Sequence, residues 1–243
     1  VRESKQRVVV VASAMSGETN RLIELARKVW GEKIPPREYH QLVTSGEQAS
    51  VALVALALNR EGIPAKSLLA YQVPIRTKEA YGQDLISEVG TEVLRGLLAQ
   101  GIVPVVAGFQ GINEVSEYTT LGRGGSDTTA VALAAALDSC PCKILTDVDG
   151  VFTALPSICK RARKLKAVSY EEMLELASSG AKVLQTRSVN LAYKYRVPLE
   201  VCSSFSNEEG TMIVEEYEGM EDAVVSGITY RTDEAKLTLR DLP

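Results

Sequence analysis

"EVLRGLLAQGIVPVVAGFQGINE", residues 92–114, contains three structural signals in order. Leu94, Leu97 and Leu98 recur at helical spacing. Gly101 then stands where a helix needs a left-handed C-terminal residue. The apolar run "IVPVVAGF" reads as a buried strand, and "FQGINE" reads as the glycine-bearing loop that follows it. The same grammar recurs on both sides. "RVVVVASA" (7–14) is a valine-rich run expected to be a strand buried on both faces, followed by the loop "MSGETN" and the helix "RLIELARKVW". "GEQASVALVALALNREGIPA" reads as a second helix, apolar nearly all round and therefore buried, stopped by Gly62 and Pro64. Further on come "SDTTAVALAAAL", a helix with Ser126 or Asp127 at its N-cap, and "KILTDVDGVFT", a strand running into a loop. "SYEEMLELASSGAKVLQTRSVNLAYKYRVPLEV" reads as helix, break at Ser178-Ser179-Gly180, helix and strand.

Strands alternating with helices across short loops specify an α/β layered fold with a mainly parallel sheet. From about Glu215 the pattern changes: "AVVSGITY" and "AKLTLRDL" read as two strands with a turn between them, the start of a second, smaller unit. The chain opens on "VRESKQR" directly before a strand and closes on "KLTLRDLP" inside a strand-rich pattern, so both ends read as cut.

The chain has 243 residues, of which 45% are hydrophobic and 24% charged, the profile of a globular domain. A net charge of −4 with no basic block argues against nucleic acid as a partner, because phosphate backbones call for clustered Lys and Arg. No uninterrupted apolar run reaches membrane-helix length, and no membrane association is expected. Cys140, Cys142, Cys159 and Cys202, beside the single histidine His40, read as reduced cytoplasmic thiols rather than as a metal site.

In open parallel sheets ligands bind beyond the carboxyl ends of the strands. Three loops leave strands here, "SAMSGETN", "FQGINE" and "TDVDGVFT", and they are expected to share one rim. "TTLGRGGSD" (119–127) adds an arginine and an aspartate on glycine backbone just before a helix start, where free N–H groups favour anions. Arg123 offers a planar fork for a carboxylate or phosphate, and Asp127 offers the opposite charge four residues on. An α-amino acid, carrying both a carboxylate and an ammonium, would satisfy the pair. The competing reading is a solvated arginine beside a glycine turn and a helix cap. The segment is neither a P-loop nor a dinucleotide fingerprint.

"TTLGRGGSDTTAVALAAAL", "TDVDGV", "SYEEMLELASSGAKVLQ", "ASAMSGETN", "SGEQ" and "VPVVAGFQG" together resemble the aspartokinases of the amino-acid kinase family, over nearly the whole chain from about Val8. The resemblance implies a three-layer αβα kinase domain over residues 1–215, then the beginning of an ACT-like α+β regulatory unit over 216–243. It implies transfer of the ATP γ-phosphoryl group, with Mg²⁺, to the β-carboxylate of L-aspartate. That reaction opens lysine, threonine and methionine synthesis, with an amino-acid feedback effector and a homodimer expected. It also implies roles. Arg123 binds the α-carboxylate and Asp127 the ammonium, with Gly124, Gly125 and Ser126 completing that loop. Glu47 takes the substrate-site glutamate position. Ser13 and Thr19 line the space between the β-carboxylate and the γ-phosphate, although Thr19 could equally cap a helix. Thr146, Asp147, Phe152 and Ser157 lie on the nucleotide side, and Lys182 reaches the ATP phosphates. Two departures stand out. The family's N-terminal lysine-phenylalanine-glycine-glycine motif has no counterpart before Val8. In "VFTALPSI", Phe152, Leu155 and Ser157 replace the usual tyrosine, aspartate and arginine, leaving Lys160, Arg161 or Arg163 to serve in their stead. Two other readings stay open: another enzyme of the same fold, which the Arg123–Asp127 pair disfavours, and a non-catalytic regulatory or assembly partner, which the departures favour.

Overall fold

The computed structural model describes residues 6–80, 83–181, 183–217 and 227–229. In chain order the elements are β1 (Val10–Ala12), α1 (Glu18–Trp30), α2 (Pro36–Val43), α3 (Ser45–Arg60), β2 (Ala65–Leu68), β3 (Ile75–Ala80), β4 (Gln83–Val89), α4 (Glu92–Ala99), β5 (Val103–Ala107), β6 (Gln110–Ile112), β7 (Tyr118–Thr120) and α5 (Gly125–Ala136). Then follow β8 (Cys142–Thr146), β9 (Ala167–Ser169), α6 (Tyr170–Ser178), α7 (Thr186–Tyr195), β10 (Leu199–Ser203) and β11 (Thr211–Val214). The chain divides into two compact units, Val1–Cys142 with Leu191–Pro198, and Lys143–Asn190 with Leu199–Pro243.

In the first unit, a parallel sheet of order β1-β5-β2 has β5 at its centre, and every residue of β5 is buried. The helices feeding it end alike. After α4, Gly101 takes φ +71, Ile102 N–H bonds the Leu97 carbonyl and Gly101 N–H bonds that of Leu98. After α3, Gly62 takes φ +73, and Ile63 and Gly62 bond Leu58 and Asn59 in the same way. Both are glycine-terminated Schellman ends, which satisfy helix carbonyls while turning the chain into β5 or toward β2. The helix–glycine–strand reading of 92–107 is therefore the observed structure.

The valine-rich first strand differs from expectation. β1 is half-buried throughout, because among the described residues it pairs only with β5 and lies at the sheet's edge. α3 also differs. Val51 and Ala55 are buried, with Val103, Val105 and Ala107 of β5 in the same apolar cluster, but Leu53 and Leu56 are 51% and 66% exposed. A helix on one face of a three-stranded sheet buries a stripe, not its circumference. Thr44 is helical, so α2 and α3 form one 25-residue run, Pro36–Arg60, long and apolar enough by length and composition to cross a membrane. Contiguous apolar runs do not reveal it. Packing on the sheet accounts for its buried stripe.

A second sheet of the first unit, of order β4-β3-β6-β7, pairs antiparallel at β3–β4 and β6–β7 and parallel at β3–β6. Gln110–Ile112 is thus a strand, not part of a loop. In the second unit the order is β8-β10-β11-β9, antiparallel at β10–β11 and parallel at β11–β9. α6 opens with the Ser169/Glu172 capping box and stops before Gly180, at φ +110, as the Ser178-Ser179-Gly180 break predicts.

Candidate functional site

The first unit gathers its polar loops around Gly108-Phe109-Gln110, at the end of β5. Gly108 N–H donates to the Ala12 carbonyl, tying this turn to the loop that leaves β1. A Cβ on Gly108 would lie 2.6 Å from Ser126 Oγ and 2.9 Å from Ser126 Cα, so only glycine lets the α5 N-terminus come this close. A Cβ on Gly125 would lie 2.7 Å from the Phe109 ring. Phe109 itself sits at φ +66, in the left-handed region that large residues rarely adopt. Its N–H donates to Thr129 Oγ1 at 3.2 Å, and its carbonyl accepts from Leu121 N–H at 2.8 Å. Those bonds hold Leu121 and Thr129, on either side of the turn into α5, to one residue.

Gln110 is fully buried. Its Oε1 accepts from Ala70 N–H at 3.1 Å and its Nε2 donates to the Thr44 carbonyl at 3.4 Å. Thr44 precedes α3, whose first turn carries Glu47. Gly46 leaves only 3.0 Å between its own hypothetical Cβ and Ala14 Cβ, so the α3 start lies against the loop after β1. Glu47 is 3% exposed. Its Oε1 accepts from Ala14 N–H at 3.3 Å, and its Oε2 is buried with no partner among the described residues. Burial raises its carboxyl above the usual carboxylate range, against the backbone N–H bonds that it accepts.

α5 begins differently from the sequence expectation. Its N-cap is Gly124 at φ +65, with no side-chain cap, so Ser126 and Asp127 lie inside the first turn and not at the cap. Gly122, at φ +74, precedes Arg123 in the same turn. Two left-handed glycines fold the chain tightly enough to turn from β7 into α5. Arg123 is exposed and makes no ion pair among the described residues. Asp127 is half-buried, and burial raises its carboxyl. An uncapped helix start, a free guanidinium and a desolvated carboxylate on one turn suit a ligand carrying both an anion and a cation.

Ser13 is exposed in the loop after β1. Thr19 lies in the first turn of α1, where Gly17 at φ +79 is the cap and no side chain bonds it, so Thr19 is not serving as one. The structure thus joins the Ser13 loop, Glu47 and the Arg123–Asp127 turn through direct contacts of their backbones and glycines. Phe109 and Gln110 were read only as part of the loop "FQGINE", and His40 only as a lone histidine. His40 Nδ1 lies 3.0 Å from Thr120 Oγ1, bracing β7 from α2. The one signal available was Gly108 and Gly111 around Phe109-Gln110: a Cβ on Gly111 would collide with Thr77 Cγ2.

The third expected loop belongs to the second unit. Thr146 ends β8, its Oγ1 donating to Asp147 Oδ1 at 3.1 Å and its carbonyl accepting from Ser204 N–H at 2.7 Å. Buried Thr211 accepts from Val151 N–H at 2.9 Å and donates to the Leu165 carbonyl at 2.6 Å, fixing the base of the loop. Phe152 bridges to Lys164, while Ser157 is exposed beyond it. Lys182 lies outside the described residues. Among the described residues no three His, Cys, Asp or Glu side chains converge to hold a metal.

Residues 1–203 match the amino acid kinase family. The chain is 51% identical over 244 aligned positions to the aspartate kinase of Pseudomonas fluorescens strain SBW25, covering 100% of this chain and 59% of that protein. It therefore spans about three-fifths of the length of the curated relatives that it matches. The aspartate kinase structure from Synechocystis superposes with a TM-score of 0.76 at 43% identity, over 86% of this chain and 34% of that one. The structure of E. coli aspartokinase III in complex with lysine and aspartate superposes with a TM-score of 0.79 at 26% identity, over 90% of this chain and 60% of that one. With its match running from residue 1 to residue 203, this chain belongs to the amino acid kinase family.

Proposed function

We propose that this chain is the catalytic portion of an aspartate kinase, a cytoplasmic enzyme that uses MgATP to phosphorylate the β-carboxylate of L-aspartate. The observation that carries this reading is the Arg123–Asp127 turn, where opposite charges that form no ion pair among the described residues stand on a tight glycine backbone at an uncapped helix start. The 51% identity to an aspartate kinase supports the same substrate, as does the aspartate bound in the E. coli relative.

Arg123 pairs with the substrate α-carboxylate and Asp127 with its ammonium. The N–H groups of the Gly124-Gly125-Ser126 backbone add to the anion site. Glu47 orders the loop after β1 through Ala14, and Ser13 and Thr19 of that region face the reacting groups. Thr146, Asp147, Phe152 and Ser157 serve the nucleotide, and Lys182 its phosphates. Mg²⁺ arrives on the phosphates of the nucleotide substrate. A β-carboxylate oxygen forms the new bond to the γ-phosphorus as the bond to the ADP oxygen breaks. The protein supplies position and countercharge rather than a covalent nucleophile. Residues 1–215 form the kinase domain, and 216–243 begin an ACT-type regulatory unit that receives an amino-acid effector in a homodimer. The lysine in the E. coli complex supports such an effector.

The test is ADP release with ATP and L-aspartate, with hydroxylamine trapping of the acyl phosphate, by this chain beside a form extended upstream through the family's N-terminal lysine motif; this chain alone is expected to turn over poorly. Aspartate-dependent release that glutamate does not replace supports the reading. Release that is indifferent to aspartate, or that prefers another acceptor, would sink it.

A further inference from the structure

Residues 227–229 lie beyond the stretch that matches the family, yet they are bonded into the second unit's loops. Ile228 N–H donates to the Thr153 carbonyl at 2.8 Å. Thr229 Oγ1 donates to the Ser179 carbonyl at 2.9 Å. A Cβ on Gly227 would lie 3.1 Å from Leu176 Cδ2 of α6 and 3.6 Å from the Thr153 carbonyl, so the backbone runs close over both. Upstream, the Tyr217 hydroxyl donates to both carboxylate oxygens of Glu172, at 3.1 and 3.0 Å, the same carboxylate that closes the α6 capping box.

Thr153 directly follows Phe152 at the root of the loop that carries Ser157. Ser179 is the C-cap of α6 and leads into Gly180 and then Lys182. A helix C-terminus leaves carbonyls without intrahelical donors, and a hydroxyl that reaches one ties the next turn in place. Segment 227–229 therefore holds the backbone at two points, beside Phe152 at Thr153 and before Gly180 at Ser179.

We propose that Thr229 is a positioning residue for the nucleotide half, acting with the Ile228 N–H to hold the Phe152–Ser157 loop and the turn at Gly180 together. This rests on reading the second unit as the nucleotide half. Thr229→Val removes the hydroxyl at nearly constant shape, Thr229→Ser keeps it, and Ile228→Pro removes the N–H donor from an exposed position. In calorimetric titrations of the whole chain, Thr229→Val and Ile228→Pro are expected to bind ATP roughly two- to tenfold more weakly than the unaltered chain, the value of one neutral hydrogen bond. Aspartate binding stays unchanged, and Thr229→Ser binds ATP as the unaltered chain does. Equal ATP affinity in Thr229→Val overturns the positioning role alone. So does a Thr229→Ser variant as weak as Thr229→Val, because a hydroxyl-independent loss reflects packing. An unaltered chain that does not bind ATP overturns the nucleotide assignment and this role with it.

Discussion

Between Gly108 and Asp127 Gly108 packs against Ser126 and Gly125 against Phe109, and a buried amide ties Gln110 to Ala70 and Thr44. Between Asp147 and Ile158 the base is fixed by Thr211, but the outer residues are open, with Leu155 and Ile158 50% and 60% exposed. In the first region the backbones at Gly108 and Gly125 pack too closely for a Cβ at either position. In the second the distal residues face solvent. A small amino acid rewards the first construction, because a preformed site pays little ordering entropy on binding. A longer, flexible ligand tolerates the second.

The largest expected effect breaks the charge pair of the first region. Arg123→Ala should weaken aspartate binding by about 1.5 to 3 kcal/mol, on the order of 10- to 150-fold, and leave ATP binding alone. Titrating both ligands into the variant checks this, and an effect confined to ATP would reverse the assignment of the two regions. Next, Gly108→Ala should destabilise the fold by about 1 to 3 kcal/mol, because the Ser126 backbone cannot retreat. Leu155→Ala, in the open loop, should stay within about 0.5 kcal/mol. Urea unfolding of the two variants measures the contrast directly. Equal losses would mean that the outer loop is packed after all.

Ser157→Arg sharpens the comparison from the other side. If the open loop adapts, a guanidinium there should reach phosphate and tighten ATP by about 1 kcal/mol, roughly fivefold. Unchanged affinity would show that Lys160, Arg161 or Arg163 already serves, or that the loop faces away. The smallest effect is one of pH. Burial raises the Asp127 carboxyl above 3.8, and a bound ammonium would lower it again. The bound state thus has the lower value. The pairing is fully present above the raised value of the free protein and fades as pH falls through the lower value of the complex. Aspartate affinity should be flat around neutrality and decline into the acid range. Asp127→Asn, already weaker, should lose that decline. A persistent decline in the variant would assign it to another group.

The helix–strand grammar was readable because its signals are local. Gly62 and Gly101 each sit one residue past a helix C-cap, and β5 follows as an unbroken apolar run. β3, β4, β6 and β7 were not readable, because their polar sequences are stabilised by pairing across distant positions. The bond between buried Thr77 Oγ1 and Thr119 Oγ1, at 2.7 Å, has no local signature. The edge position of β1 likewise depends on what lies beside it, which a valine run does not encode. At the candidate site, the Arg–Asp turn stood out by charge on glycine. The strained Phe109 did not, since an aromatic residue in left-handed geometry is decided by Gly108 and Gly125 around it.

The buried amide of Gln110 has a direction. Its oxygen end faces a donor on Ala70 and its nitrogen end faces the carbonyl of Thr44, so a half-turn of the amide would set like against like at both ends. A carboxyl group of the same size would keep the first bond, but when ionised it would oppose oxygen to oxygen at the second. Exchanging this one amide for a carboxyl, as in Gln110→Glu, would therefore convert a link between Ala70 and Thr44 into a repulsion at the start of the helix that carries Glu47.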